Sequence, residues 1–292
     1  MTRRAVGRRT NRSITPAATD VAASVDLPRS LLPFLPRIFA GMESLGSSPR
    51  TIVPLLIEHA PARSTPRPRK RGSRNSLTLR VLDLACGKGD LAISIARRLN
   101  RPARPNPACR VLAIDACDDF ITHARARAAR LGVEHLCEFR AARINSSTRL
   151  GRGVLAGEPA FDVAMMIGLW GVERAAPLLS RLVRPGGVYV IDDAFAVDAR
   201  AVRRFGAATL AEALQHIRAQ GDAVLHASLV PLRSVRASSA RILARLTRNT
   251  RDLAREHPRL RPALAEFIRR QRAASRLLER GLRPGLIVAR RA

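Results

Sequence analysis

Asp83 and the loop after it, Ala85-Cys86-Gly87-Lys88-Gly89, set a carboxylate and two glycines at the end of an apolar run. Glycine lets the backbone turn tightly and approach a ligand, because no Cβ intervenes. Many such loops grip phosphate, but this one lacks the residues for it. A P-loop needs G-x-x-x-x-G-K-[ST], and counting back from Gly87-Lys88 puts Leu82 at the first glycine and Gly89 at the hydroxyl position. A dinucleotide loop needs G-x-G-x-x-G, and here Ala92 and Ile93 stand where a third glycine is sought. Asp83 would also oppose a pyrophosphate, whereas its charge suits a ligand with a positive group at that point.

The elements that must hold this loop are legible around it. Residues 77–84 read as a strand, and the pattern Leu91-Ala92-Ile93-Ile95-Ala96 reads as a helix, so strand, turn and helix form one end of a βαβ unit. RVLAID at 110–115 is a second apolar run closed by an acid, Asp115, with a helical pattern from Phe120 to Leu131. Cys137 to Ala142 reads as a third strand and FDVAMMIGL at 161–169 as a fourth. LVRPGGVYVIDDA at 182–194 reads as a helix end, a Pro-Gly-Gly turn and a fifth strand, closed by Asp192 and Asp193.

Over residues 77–194 the chain resembles the class I S-adenosylmethionine-dependent methyltransferases. Their first motif, [DE]-x-[GA]-x-G-x-G after a strand, is matched by Asp83, Ala85, Gly87 and Gly89, and the Arg-Pro-Gly-Gly turn before the fifth strand is also a habit of the family. The resemblance implies an α/β, Rossmann-like fold. Its sheet would be seven-stranded and mostly parallel with an antiparallel final strand, and helical additions would stand at both chain ends. It implies S-adenosylmethionine as cofactor, a ligand with an α-ammonium, a sulfonium and no phosphate. Asp83, Ala85, Gly87 and Gly89 would form the cofactor loop, and Asp115 would accept from the two ribose hydroxyls as a charge-assisted pair. Ala116, just beyond the second strand, and Ile167, in the fourth, would complete the cofactor site. One departure stands out: the third strand usually ends in Gly-Asp-Ala, whose acid binds the adenine amino group, and here FRAARI has no acid. Adenine must be held otherwise.

Methyl transfer is a direct displacement on the sulfonium methyl, for which alignment and dehydration supply much of the catalysis. Ligands of an open α/β sheet lie beyond the carboxyl ends of its strands, which makes Asp192 and Asp193 the catalytic candidates. One of them would orient or deprotonate substrate, or the pair would cap the helix after Asp198. Catechol-type relatives hold magnesium with an acid pair here and an aspartate after the fourth strand, but MMIGLW has no acid, so no metal is expected. His226 is a candidate base, though a lone histidine in a strand is more often structural. The DNA amino-methyltransferase motif [DNS]-P-P-[YFW] is absent after the fourth strand, and no Pro-Cys dipeptide exists for a cytosine-C5 enzyme.

Composition bounds the partners. The four cysteines Cys86, Cys109, Cys117 and Cys137 show no metal-ligand spacing and read as free thiols of a reducing compartment. No apolar run approaches the roughly 20 residues needed to cross a bilayer, so a cytoplasmic protein without membrane contact is expected. The net charge is +29, but residues 77–198 carry only +4 of it, against +10 before and +15 after. Only Lys70 and Lys88 among the 52 basic residues are lysine, a bias that reflects genome composition as much as a polyanion partner. Arg241, Arg245, Arg248, Arg251 and Arg255 fall within about 120° of one helix face, opposite Leu243 and Leu246. With 3% aromatic residues the chain has few stacking platforms for bases, and Phe34, Phe39, Trp170 and Phe195 are better suited to a small pocket. The expected acceptor is a small molecule. An rRNA or tRNA acceptor using the basic flanks, or a non-catalytic cofactor-binding scaffold, are the alternatives.

Four regions follow from these patterns: a disordered basic tail at 1–27, a helical cap and Pro/Arg linker at 28–76, the cofactor core at 77–198, and a helical substrate-side region with the last strands at 199–292. Residues 1–19 hold five arginines and no acid, as transit peptides do, but Pro16 and poor amphipathic spacing favour a plain tail. Ser48-Pro49 opens a helix ending near His59, and RPARPNPA at 101–108 reads as a surface loop. After Ala194 the patterns predict helices over 199–220, 234–256 and 260–280, with strands at 223–230 and 285–291.

Overall fold

The computed structural model describes residues 27–44, 46–61, 78–100, 109–145 and 147–292. All but the last residue of the tail expected at 1–27, all but the first of the linker expected at 61–76, and the loop at 101–108 lie outside these residues.

A short 3-10 stretch leads into α1 (Leu35–Ile38) and then α2 (Pro49–His59). The expected cap of α2 is present: Ser48 Oγ accepts from the Arg50 N–H, and Pro49 stands where no intrahelical N–H is needed. The core alternates β1 (Leu79–Leu84), α3 (Asp90–Leu99), β2 (Cys109–Asp115), α4 (Asp118–Arg130), β3 (Cys137–Ala141), β4 (Phe161–Ile167), α5 (Val172–Leu182) and β5 (Val183–Ala196). It continues through α6 (Ala199–Phe205), α7 (Leu210–Ala219), β6 (Ala223–Leu229), α8 (Leu232–Glu256), α9 (Arg261–Arg280) and β7 (Leu282–Arg290).

The sheet order is β3-β2-β1-β4-β5-β7-β6. Six strands run parallel and β7 runs antiparallel to both neighbours, as the resemblance implied. Chain order reverses between β1 and β4, and ligands of open α/β sheets lie beyond the strand ends at such a switch point. Strand alternation sorts the core into two layers. Val81 faces α2, α3 and α4 with Ile52, Ile95 and Ile121, whereas Leu82 and Leu84 face α5 and α7 with Leu178 and Ile217.

A third core joins the two chain ends. Leu31, Leu35, Ile38 and Phe39 pack with Leu246 and Leu253 of α8, Leu264, Phe267 and Ile268 of α9, and Phe120 of α4. The N-terminal cap and the C-terminal helix pair, separate in the chain, therefore form one apolar unit on the α4 side of the core. The arginine-rich face of α8 is exposed, as its periodicity predicted. The helix expected over 199–220 is two helices. Gly206 ends α6 at a φ of 64°, and α7 starts afresh with a capping box of Thr209 and Glu212.

Candidate active site

β1 ends beneath the switch point and releases the chain into the loop Ala85–Gly89. Ala85, with φ at 61°, is the one non-glycine residue with positive φ among the described residues. Gly87 and Gly89 also turn left-handed. Gly89 has a second reason to be glycine: a Cβ there would lie 2.8 Å from both Ala124 Cβ and Phe139 Cε1. Asp115 Oδ2 accepts from the Gly87 N–H at 2.8 Å and Oδ1 from the Cys117 N–H at 2.9 Å, so this carboxylate ties the glycine loop to the end of β2. Burial raises its pKa above the ordinary carboxylate range, against the pull of those backbone donors.

Asp83 is 1% exposed, and its Oδ2 has no hydrogen-bond partner among the described residues. Burial, and then the charge of Asp115, push its carboxyl up to about 8. An unpaired buried acceptor is costly and rare, and here it points to a partner supplied by a ligand. The thiol of neighbouring Cys86 is raised well above its usual range by burial and by both aspartates, which makes it inert lining.

These residues wall a cavity of about 870 Å³. Asp83, Ala85, Gly87, Asp115, Ala116 and Ile167, all expected at the cofactor, line it. Gly89 does not; it lies behind the loop, packed on Ala124 and Phe139. Where the adenine-binding acid of the third strand is missing, Arg143, Ile144 and Asn145 form the wall. Of the four aromatics expected at a small pocket, Trp170 lines it, while Phe34 and Phe39 join the cap and Phe195 the sheet core.

The stretch after Phe39 supplies Glu43, Ser44, Gly46 and Ser47 to the cavity wall. Nothing in the sequence pattern marked its anchors. Lys88, 4% exposed, donates from Nζ to the Phe39 carbonyl at 2.5 Å; burial lowers its pKa and the charge of Glu43 works against that. Glu43 contacts His123 Nε2 at 2.8 Å and Arg127 at 3.5 Å, and Arg127 reaches Asp90 at 2.7 Å. Burial alone would raise Glu43, but the His123 bond and the charges of Arg127 and Lys88 hold it below its ordinary pKa. Asn249 of α8 donates to the carbonyls of Ile38 and Ala40.

Asp192 and Asp193 stand differently from expectation. Neither lines the cavity. Asp192 Oδ2 accepts from the Ser47 N–H at 3.0 Å, anchoring the stretch after Phe39, and Asp193 Oδ2 accepts from the Val172 N–H at 3.0 Å, capping α5. Burial raises both carboxyls, since each strand end is enclosed. Asp198 caps α6 by itself through the Ala201 N–H. His226 contacts Ser228 Oγ at 3.0 Å, away from the cavity lining, as a structural histidine would.

A strand-end acid, a glycine loop and a second strand-end acid, gathered at the switch point of a 3-2-1-4-5-7-6 sheet, define a class I methyltransferase. The family of methyltransferase domains matches residues 76–228, just over half of the chain. The protein belongs to that family and is an S-adenosylmethionine-dependent methyltransferase. A methyltransferase from Geobacter sulfurreducens in complex with S-adenosyl-L-homocysteine is similar over 91% of this chain and 98% of its own, at 19% identity and a TM-score of 0.66. One from Thiobacillus denitrificans, in the same complex, is similar over 88% and 97%, at 18% identity and a TM-score of 0.62. The [4+2]-cyclase SpnF is similar over 95% and 96%, at 16% identity and a TM-score of 0.61. No match was found among curated proteins. Among the described residues no helix is long and apolar enough to cross a membrane, and no group of three His, Cys, Asp or Glu side chains could hold a metal ion.

Proposed function

We propose that this methyltransferase acts on a small-molecule acceptor held in the capped cavity. The observation that carries this reading is the cavity of about 870 Å³, which joins the unpartnered Oδ2 of Asp83 to a wall that includes Glu43, Ser44, Gly46 and Ser47. Its size is that of a small-molecule site. Asp83 would meet the cationic end of the cofactor, and Asp115, with lone pairs beyond its two backbone bonds, the ribose hydroxyls. Ala85, Gly87 and Ala116 would let the backbone approach, with Gly89 holding the loop from behind and Ile167 adding apolar wall.

Bound there, S-adenosylmethionine supplies an electrophilic methyl group on a sulfonium. The protein contributes alignment and exclusion of water. Glu43 and Asp90 of the cavity wall are engaged with His123 and Arg127, so neither is a free general base. Asp192 and Asp193 support the site from outside, one through Ser47 and one through α5. Asp192 is thus proposed as a positioning residue.

Calorimetric titration with S-adenosylmethionine, followed by a methylation screen of small molecules and tRNA with labelled cofactor, tests the reading. Labelled small-molecule product from wild type is the expected result. Binding of the cofactor with label transferred only to tRNA would overturn it.

A further inference from the structure

The residues assigned to the cofactor leave one feature of the cavity without a role. Trp170, in the loop after β4, and Arg174, on the first turn of α5, both line it, and the Arg174 guanidinium carbon sits 3.7 Å from the Trp170 ring centroid. Stacking on an aromatic face fixes the guanidinium plane and leaves the N–H donors at its edge directed outward, a fork that matches a carboxylate or phosphate.

Asp83 apart, the other charged groups of this wall are engaged. Asp90 and Glu43 meet Arg127, Lys88 meets the Phe39 carbonyl, and Asp115 meets two backbone N–H groups. Arg174 has no carboxylate within ion-pair distance among the described residues. The cavity therefore carries an acid with one unpartnered oxygen at the end of β1 and, beyond β4, a stacked cation.

We propose that Arg174, held flat by Trp170, binds an oxyanion of the methyl acceptor, which is a small molecule carrying a carboxylate or a phosphate. This rests on the small-molecule reading above. The oxyanion fixes the acceptor at one end of the cavity so that its nucleophile can be aligned by the rest of the wall. Arg174 is a specificity-determining residue in this scheme, and Trp170 positions it.

The chain's single tryptophan makes the subsite observable without knowledge of the acceptor. The protein is first saturated with S-adenosylhomocysteine, verified by calorimetry, and Trp170 fluorescence is then followed during titration with benzoate, phenyl phosphate and neutral benzamide. The expected result is a saturable change with at least one anion and none with benzamide. Benzoate alone would identify a carboxylate acceptor, and phenyl phosphate alone a phosphorylated one. Arg174→Gln weakens the anion response by about tenfold or more, the loss expected for a charge-assisted pair, while S-adenosylhomocysteine affinity and melting temperature stay at wild-type values. Arg174→Lys retains only part of the response, because it keeps the charge without the planar fork.

Equal responses to benzoate and benzamide, no anion response, or an unchanged response in Arg174→Gln would overturn the proposal. So would lost S-adenosylhomocysteine binding in that variant, which would assign Arg174 to the cofactor's own carboxylate. Failure of wild type to bind S-adenosylhomocysteine would instead sink the cofactor-site reading itself, so the two failures are distinguishable.

Discussion

Replacing Asp83 by asparagine while varying pH separates the cost of burying this acid from its use. In the ligand-free protein its carboxyl is pushed up to about 8, first by burial and then by the charge of Asp115. A carboxyl whose folded pKa exceeds its unfolded value penalises the fold once it ionises. The penalty is absent below the ordinary value of 3.8, grows with pH, and is complete above about 8. At neutral pH it amounts to on the order of 4 kcal/mol. Asp83→Asn removes the charge but leaves a buried amide, so part of this is recovered and the ligand-free melting temperature rises by several degrees, at about 2–4 °C per kcal/mol. The same variant binds S-adenosylmethionine about 10–100-fold more weakly, because a charge-assisted contact is lost. A cationic ligand favours the ionised acid, so wild type releases a proton on binding below about pH 8. Its affinity climbs by up to about tenfold per pH unit between roughly pH 6 and 8, then stops as the ligand's own α-ammonium begins to titrate. Calorimetry in buffers of different ionisation enthalpy counts the released proton. Wild-type binding without proton release, or an asparagine variant that binds as tightly and keeps the same pH slope, would refute this account of Asp83.

Ala85→Gly relieves a left-handed alanine and raises stability by about 0.5–1 kcal/mol, read as a shifted urea midpoint at constant slope. Gly89→Ala does the opposite, by about 1–3 kcal/mol, because its Cβ would press on Ala124 and Phe139. Lys88→Met leaves the Phe39 carbonyl without its charged donor and costs about 1–3 kcal/mol, with faster amide exchange at residues 39–44. Charge reversal at Arg248 and Arg251, exposed on α8, leaves methyl transfer to a small acceptor unchanged. An RNA acceptor would instead show binding that falls steeply with salt and with each reversal, which filter binding of tRNA measures.

The core was legible because its signals are local. A strand-end acid followed by glycines is a contiguous pattern, and Asp83, Asp115 and the Pro-Gly-Gly turn each mark where an apolar run stops. The break at Gly206 and the Thr209–Glu212 capping box were also written in the chain, but the helical periodicity on both sides concealed them. Asp192 and Asp193 were expected to close the fifth strand at the substrate pocket; β5 runs on to Ala196, and the two acids meet the Ser47 and Val172 N–H groups. A strand position says where a carboxylate begins, while the direction of its oxygens depends on Ser47 and Val172, which are remote in sequence.

By itself the sequence determined the alternation of strands and helices, the glycine loop after β1 and the poor fit of a phosphate to that loop, since each follows from neighbouring residues and their charge. Only the tertiary structure decided what closes the site. Packing Leu31, Leu35 and Phe39 against α8 and α9 removes apolar surface that neither chain end could bury alone. That packing brings Phe39 and Ser47 to the strand ends, where Lys88 and Asp192 hold them, and it adds a wall to the cavity from what the sequence shows as a separate flank.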